Sequence, residues 1–156
     1  MKLELTPSRD GTSTRLAVVV RGLGSGLLVK DVAALIAAEV PNADIALASY
    51  NTTLFSNAPA DREAYELALE IERKVQERRK RGGSYSSIIL IGHSIGALLV
   101  RAAYLMAAGY RSTTQNQLAP AAWARPAAVG ANQPANAPYV ERLVLLSGLN
   151  NGWTTA

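Results

Sequence analysis

Three observations predict an α/β fold, a mostly parallel sheet with helices on both faces. Near-continuous apolar runs at Leu16–Val20, Ile45–Ser49, Ile88–Ile91 and Val140–Leu146 alternate with segments of helical periodicity, the pattern of buried parallel strands joined by crossover helices. Glycine-rich or polar turns follow the runs, at Arg21–Gly26, at Gly92–Gly96 and after Leu146. The chain of 156 residues suffices for one domain with a core but not comfortably for two.

Each element follows from its own pattern. Leu16 to Val20 is the first strand, turned by Arg21-Gly22-Leu23-Gly24-Ser25-Gly26. A helix is expected from about Val29 to Glu39, with Val32, Leu35, Ile36 and Val40 at helical spacing and Pro41-Asn42 stopping it. Ile45 to Ser49 is the second strand. Asn51 to Ala60 is a polar loop, and Asp61 can cap the long helix after it. In that helix Ala64, Leu67, Ala68, Ile71 and Val75 form one apolar stripe. Glu70 stands i,i+4 to Lys74, and Gly82-Gly83 ends the run. Ile88 to Ile91 is the third strand. Ala97 to Ala108 is a helix apolar on most sides, hence buried, with Arg101 its exposed exception. Ser112 to Pro138, punctuated by Pro120, Pro126, Pro134 and Pro138, cannot continue a helix or a central strand. It reads as a surface connection or as a lid-like insertion at the mouth of a site. Val140 to Leu146 is the fourth strand. In parallel sheets of this kind ligands bind at the carboxyl ends of the strands, where Arg21–Gly26, Ser49–Asn51, Gly92–Gly96 and Ser147–Asn151 all fall.

Composition narrows the function. Apolar residues make up 49% and charged residues 18%, an ordinary globular balance. The longest apolar stretch, Ile88 to Gly109, is broken by His93, Ser94 and Arg101, so no membrane span is expected. Met1 to Asp10 lacks the apolar segment of a signal peptide, and a cytoplasmic location is expected. The absence of cysteine excludes disulfides, thiolate metal sites and a cysteine nucleophile; with one histidine, no metal and no cofactor are expected. Net charge is +4, but many of the basic residues gather in Arg73-Lys74 and Arg78-Arg79-Lys80-Arg81. There they complement a helix dipole, and without aromatic interleaving they predict no nucleic-acid partner.

The chemistry-bearing motif is Gly92-His93-Ser94-Ile95-Gly96, entered from an apolar run and left into a helix. A serine hydroxyl becomes an effective nucleophile when held at a sharp, strained strand-to-helix turn, and flanking glycines clear the space around it. Ser94 is the candidate nucleophile. The Ile95 N–H, at the amino end of the following helix, is a candidate donor to a tetrahedral oxyanion, and the Leu23 N–H in the glycine-rich loop is the second. That loop does not match a dinucleotide fingerprint, because the third required glycine position is Leu27. His93 is the only histidine. It adjoins Ser94, but neighbours on a sharp turn point apart, so it reads as structural. Glu141 is the only carboxylate after Ser94, and it stands at the entering end of its strand. Arg21 and Tyr50 lie on the rim, where a polar or anionic substrate and plain solvation both account for them.

These residues resemble the α/β-hydrolase family, specifically its lipase- and esterase-like members. Val18-Val19-Val20-Arg21-Gly22-Leu23-Gly24 is similar to the family's strand and oxyanion loop. Gly92 to Gly96 is similar to its elbow, and Val140 to Leu146 to the strand after the elbow helix. The resemblance implies Ser94 as nucleophile, with Leu23 and Ile95 as oxyanion donors. Gly22, Gly24, Gly92 and Gly96 would be the loop and elbow glycines, and the substrate a small ester or acyl compound. Many relatives begin the oxyanion loop with His-Gly, where this chain has Arg21-Gly22. In the family an acid and then a histidine follow the serine; Ser147, Asn150 and Asn151 stand where some relatives carry the acid, and no histidine follows. The expectation is therefore a single hydrolase-like domain, incomplete at its carboxyl end, carrying the nucleophile without its relay and nearly inactive by itself. The alternative is a non-catalytic binding or interaction module, against which Val140 to Leu146 argues mildly, since so apolar a strand would be left as an exposed edge.

Overall fold

Strands whose residues are apolar at every position must be covered on both faces, and the sheet is built that way. The computed structural model describes residues 1–8, 11–22, 26–40, 42–50, 60–109, 122–124 and 138–146. In chain order these form β1 (Lys2–Thr6), β2 (Arg15–Val20), α1 (Gly26–Glu39), β3 (Ala43–Ser49), α2 (Ala60–Lys80), β4 (Ser87–His93), α3 (Ile95–Ala107), a 3₁₀ turn (Ala122–Ala124) and β5 (Tyr139–Leu146). The sheet has five strands in the order β1-β3-β2-β4-β5. β2 pairs in parallel with both β3 and β4, and β4 with β5; β1 is antiparallel to β3.

Leu16, Val18, Val20, Ile88 and Leu90 face α2 and α3 in the larger apolar cluster. Ala17, Val19, Ile45, Ile89 and Ile91 face α1 through Val32, Ala33, Ile36 and Val40. The alternation follows the period of two along a strand.

The connections set where a site can form. From β2 the chain crosses through α1 to β3 on one side, then returns through α2 past β2 to β4 on the other. The winding reverses between β2 and β4, and a crevice opens beyond the carboxyl ends of strands at such a reversal. Val20 pairs with Gly92 across it.

Several elements depart from expectation. β1 was not anticipated: Lys2-Leu3-Glu4-Leu5-Thr6 alternates, with Leu3 alone of the five fully buried, and one apolar anchor leaves a weak strand signal. α1 begins at Gly26 rather than Val29. Leu35 is 61% exposed, because α1 meets the sheet through the narrower face of Val32, Ile36 and Val40. Asp61 lies inside the first turn of α2, with Glu63, so it matches the helix dipole instead of capping. Glu70 pairs with Arg73 at 2.6 Å and Lys74 with Glu77 at 3.2 Å; the shorter i,i+3 contacts replace the expected i,i+4 pair. β4 extends to Ser87 and His93, and α3 starts at Ile95 rather than Ala97. Within the Ser112–Pro138 stretch, Trp123 is wholly buried in the larger cluster. Ala124 is buried beside it, so these two residues are anchored in the core. Pro41, Asn51 to Pro59 and Ser147 to Trp153 lie outside the described residues, as does the rest of that stretch apart from Ala122–Ala124 and Pro138. At the other side of the sheet β5 forms an edge on which Tyr139, Leu143 and Leu146 are exposed.

At the entering end of the central strands a buried polar cluster ties the amino-terminal segment down. Asp44 is 2% exposed and accepts hydrogen bonds from the Tyr85 hydroxyl at 2.6 Å and the Ser8 N–H at 2.9 Å. The Asp44 N–H donates to Ser13 Oγ at 2.9 Å. Arg78 donates to the carbonyls of Gly11 and Ser13 and stacks 5.8 Å from the Tyr85 ring. One member of the basic cluster is thus a latch rather than a solvated helix end. Burial, together with the bond to the Asp44 carboxylate, pushes the Tyr85 phenol well above its usual range. Tyr85→Phe leaves an Asp44 oxygen without its donor, and the expected cost is about 1–3 kcal/mol, read as a lower urea midpoint with unchanged slope.

Candidate active site

Ser94 is where the reversal of winding, a strand end and a helix start coincide. β4 delivers the chain through Gly92 and His93, and α3 begins at the next residue, Ile95. Ser94 takes φ 55° and ψ −124°, and it is the sole non-glycine with positive φ among the described residues. Such a conformation costs on the order of 1–3 kcal/mol and persists only where the surroundings over-determine it. The surroundings do so on both sides. The Ser94 N–H donates to the Leu146 carbonyl at 2.9 Å, holding the turn to β5, and the Ser94 carbonyl accepts from the Ala97 N–H at 2.9 Å. The Ser94 hydroxyl makes no capping hydrogen bond to the helix, so it is not spent on the local backbone.

Three glycines permit this geometry by their lack of a side chain. A Cβ on Gly96 would meet the Val20 carbonyl oxygen at 2.3 Å and that of Arg21 at 2.7 Å. On Gly92 it would meet Ala97 Cα and the Gly96 carbonyl oxygen at 2.5 Å, and on Gly22 it would lie 2.7 Å from Ser94 Cβ. The end of β2, the turn and the first turn of α3 are in backbone contact, which brings Gly22 against Ser94. Gly22, Gly92 and Gly96 thus lie around this one turn. Ile95 is the first residue of α3, so its N–H belongs to the set that finds no intrahelical acceptor. Leu23, Gly24 and Ser25 lie outside the described residues.

His93 stands beside Gly22 at the end of β4. Its Nδ1 is buried without a hydrogen-bond partner, beside Gly22, so this nitrogen is not bonded to Ser94. Glu141 is engaged at the far end of the sheet, accepting from Ser87 Oγ at 2.7 Å and facing Arg15 Nε at 3.4 Å. Among the described residues, no group of three or more His, Asp or Glu is placed to hold a metal ion.

Beside Gly22 the rim carries a polar cleft that the sequence pattern did not reveal. Tyr50 is buried, and its hydroxyl donates to the Arg21 carbonyl while Arg21 Nη2 donates to the Tyr50 carbonyl at 3.3 Å. Burial pushes the Tyr50 phenol up to about 12, Arg21 opposing and Glu63 adding to the shift. Reading Arg21 and Tyr50 as solvated loop residues is therefore corrected: they brace one another across β2 and β3. The cleft, of about 620 Å³, is lined by Met1, Lys2, Arg21, Tyr50, Arg62 and Glu63, among others.

The class this architecture defines is an α/β protein with a serine on a strained strand-to-helix turn at the reversal of its sheet. No family model matches the chain, and no curated protein matches it. Among solved structures the chain is similar to esterase PE8, with 17% identity and a TM-score of 0.48 over 68% of this chain. It spans 59% of the length of that chain. No helix among the described residues is long and apolar enough to cross a membrane.

Gly96→Ala drives a Cβ into two carbonyls of the central strand, which cannot retreat without breaking the sheet. The expected loss is about 1–3 kcal/mol or more, measured by urea unfolding; an unchanged midpoint would contradict the close approach.

Proposed function

We propose that this chain carries the nucleophile of a serine hydrolase acting on carboxylic esters or related acyl compounds. The observation that supports it above others is Ser94 at φ 55°, ψ −124° between β4 and α3, at the reversal of the sheet. Ser94 Oγ attacks the acyl carbonyl carbon and its proton passes to a base. The tetrahedral oxyanion is held by the Ile95 N–H and, in the part of the loop outside the described residues, by the Leu23 N–H. Collapse expels the alcohol with a proton and leaves an acyl-enzyme at Ser94, which water then hydrolyses.

His93 is the only histidine of these 156 residues, its Nδ1 is buried without a hydrogen-bond partner, and the base and acid of a triad are read as missing. Members of a triad act as a unit, so turnover by these residues alone is expected to be lower by roughly 10⁴-fold or more than with a complete triad. That same gap favours one other reading, a hydrolase-like module that binds without catalysing.

A fluorophosphonate separates the two, because the adduct needs the nucleophile and the oxyanion donors rather than turnover. Slow, stoichiometric phosphonylation at Ser94, abolished by Ser94→Ala, is the expected result by intact mass and peptide mapping. No adduct at Ser94 after prolonged incubation would favour the binding module.

A further inference from the structure

The parallel ladder between β2 and β3 ends at Val20 and Ala48, and beyond it two side chains take over the pairing. The Tyr50 hydroxyl donates to the Arg21 carbonyl, and Arg21 Nη2 donates to the Tyr50 carbonyl at 3.3 Å. The Arg21 guanidinium also lies 6.0 Å from the centre of the Tyr50 ring. Tyr50 is buried, and a buried hydroxyl deprived of its acceptor is costly. Burial pushes the phenol up to about 12, against the opposing Arg21 charge, so it stays protonated, and a donor, throughout the neutral range.

The carbonyl that Tyr50 holds belongs to the peptide that enters the Ser94 site. A planar peptide ties the direction of its carbonyl and the position of the next Cα to one dihedral, here ψ of Arg21, so fixing the oxygen fixes Gly22. That oxygen lies so close to α3 that a Cβ on Gly96 would stand 2.7 Å from it, and a Cβ on Gly22 would stand 2.7 Å from Ser94 Cβ. Contacts of this kind resist only approach. They stop the peptide from moving further onto the turn and leave it free to swing away, and the Tyr50 hydroxyl is the attraction that opposes the swing.

We propose that Tyr50 is a positioning residue for Ser94: its hydroxyl, by holding the Arg21 carbonyl, keeps the Arg21–Gly22 peptide seated on the Ser94 turn and so sets how fast Ser94 reacts. This role rests on the reading of Ser94 as nucleophile. Tyr50 acts in it through the peptide that leads to Leu23, whose N–H is the second proposed oxyanion donor, and not on the acyl group. A hydroxyl with a structural role alone would change how stably the chain folds and leave the reactivity of Ser94 in folded molecules as it was.

The test is saturation kinetics of phosphonylation at Ser94 by a fluorophosphonate, which separate the affinity for the reagent, KI, from the limiting rate, kinact, in Tyr50→Phe beside the unsubstituted chain. Phenylalanine keeps the ring over Arg21 and deletes the donor alone. The expected result is a kinact lower by at least about tenfold, the order of loss that misalignment at a reacting group brings, with KI within about twofold. Tyr85→Phe deletes a buried hydroxyl at the opposite end of the sheet and should leave kinact unchanged. Equal kinact in Tyr50→Phe and the unsubstituted chain, or an equal fall in Tyr50→Phe and Tyr85→Phe, would overturn the role of Tyr50 while leaving Ser94 the nucleophile. No adduct in the unsubstituted chain would overturn that reading, and the role of Tyr50 with it. The bond itself is read without any variant: the Tyr50 hydroxyl proton should be visible by NMR and protected from exchange with water. Exchange as fast as that of a free phenol would overturn the proposal even where Tyr50→Phe does not fold.

Discussion

Everything at the working end of this molecule rests on one close approach, that of the first turn of α3 to the last residues of β2. Gly96 stands so near the Val20 and Arg21 carbonyls that a methyl group would reach 2.3 Å. Close-packed interiors leave no slack to absorb such an insertion. Because α3 presses on β2 there, the single residue between β4 and α3 has to turn the chain sharply, and Ser94 takes a conformation that L-residues avoid. The same approach lays Gly22 against Ser94 and sets Arg21 at the edge of the cleft. Strain at Ser94, the contact of Gly22 with it and the placing of Arg21 are consequences of one packing constraint.

The two ends of the sheet divide the labour. At the entering ends of the strands, Asp44, Tyr85, Ser13 and Arg78 form a hydrogen-bonded cluster that fixes the amino-terminal segment. At the carboxyl ends the polar groups are left incomplete: the Ser94 hydroxyl caps nothing, and His93 Nδ1 and Glu63 Oε2 are buried without partners. Buried polar groups without partners are few in native proteins and ask for an explanation.

The central strands and the two helices behind them were legible because their signals are local. Leu16–Val20 and Ile88–Ile91 are too apolar to be anything but covered, and the stripe Ala64, Leu67, Ala68, Ile71, Val75 is buried as its spacing requires. The Ser94 turn was legible because glycines at 92 and 96 have a steric meaning that a strand before and a helix after make specific. Features that depend on distant partners were not. β1 needs β3 to be a strand at all, and Trp123 gives no periodic signal, being held by the core it enters. Leu35 fits the apolar spacing of α1 yet faces outward, since spacing cannot say how broad a face the sheet will accept. The cleft joins Arg21, Tyr50 and Glu63 from three elements, and no pattern along the chain connects them.

The account stands on Ser94 being held in strain, and Ser94→Gly tests that most directly. At an unstrained helix start, replacing serine by glycine loses a few tenths of a kcal/mol. Where the backbone is forced to positive φ, glycine relieves the strain, and even after the greater entropy of the unfolded glycine chain the variant should gain about 1 kcal/mol. Urea unfolding of Ser94→Gly beside the unsubstituted chain is thus predicted to give a higher midpoint at the same slope. A midpoint equal to or below that of the unsubstituted chain would mean that Ser94 is at ease in its turn, and the case for a nucleophile built there by packing would fall.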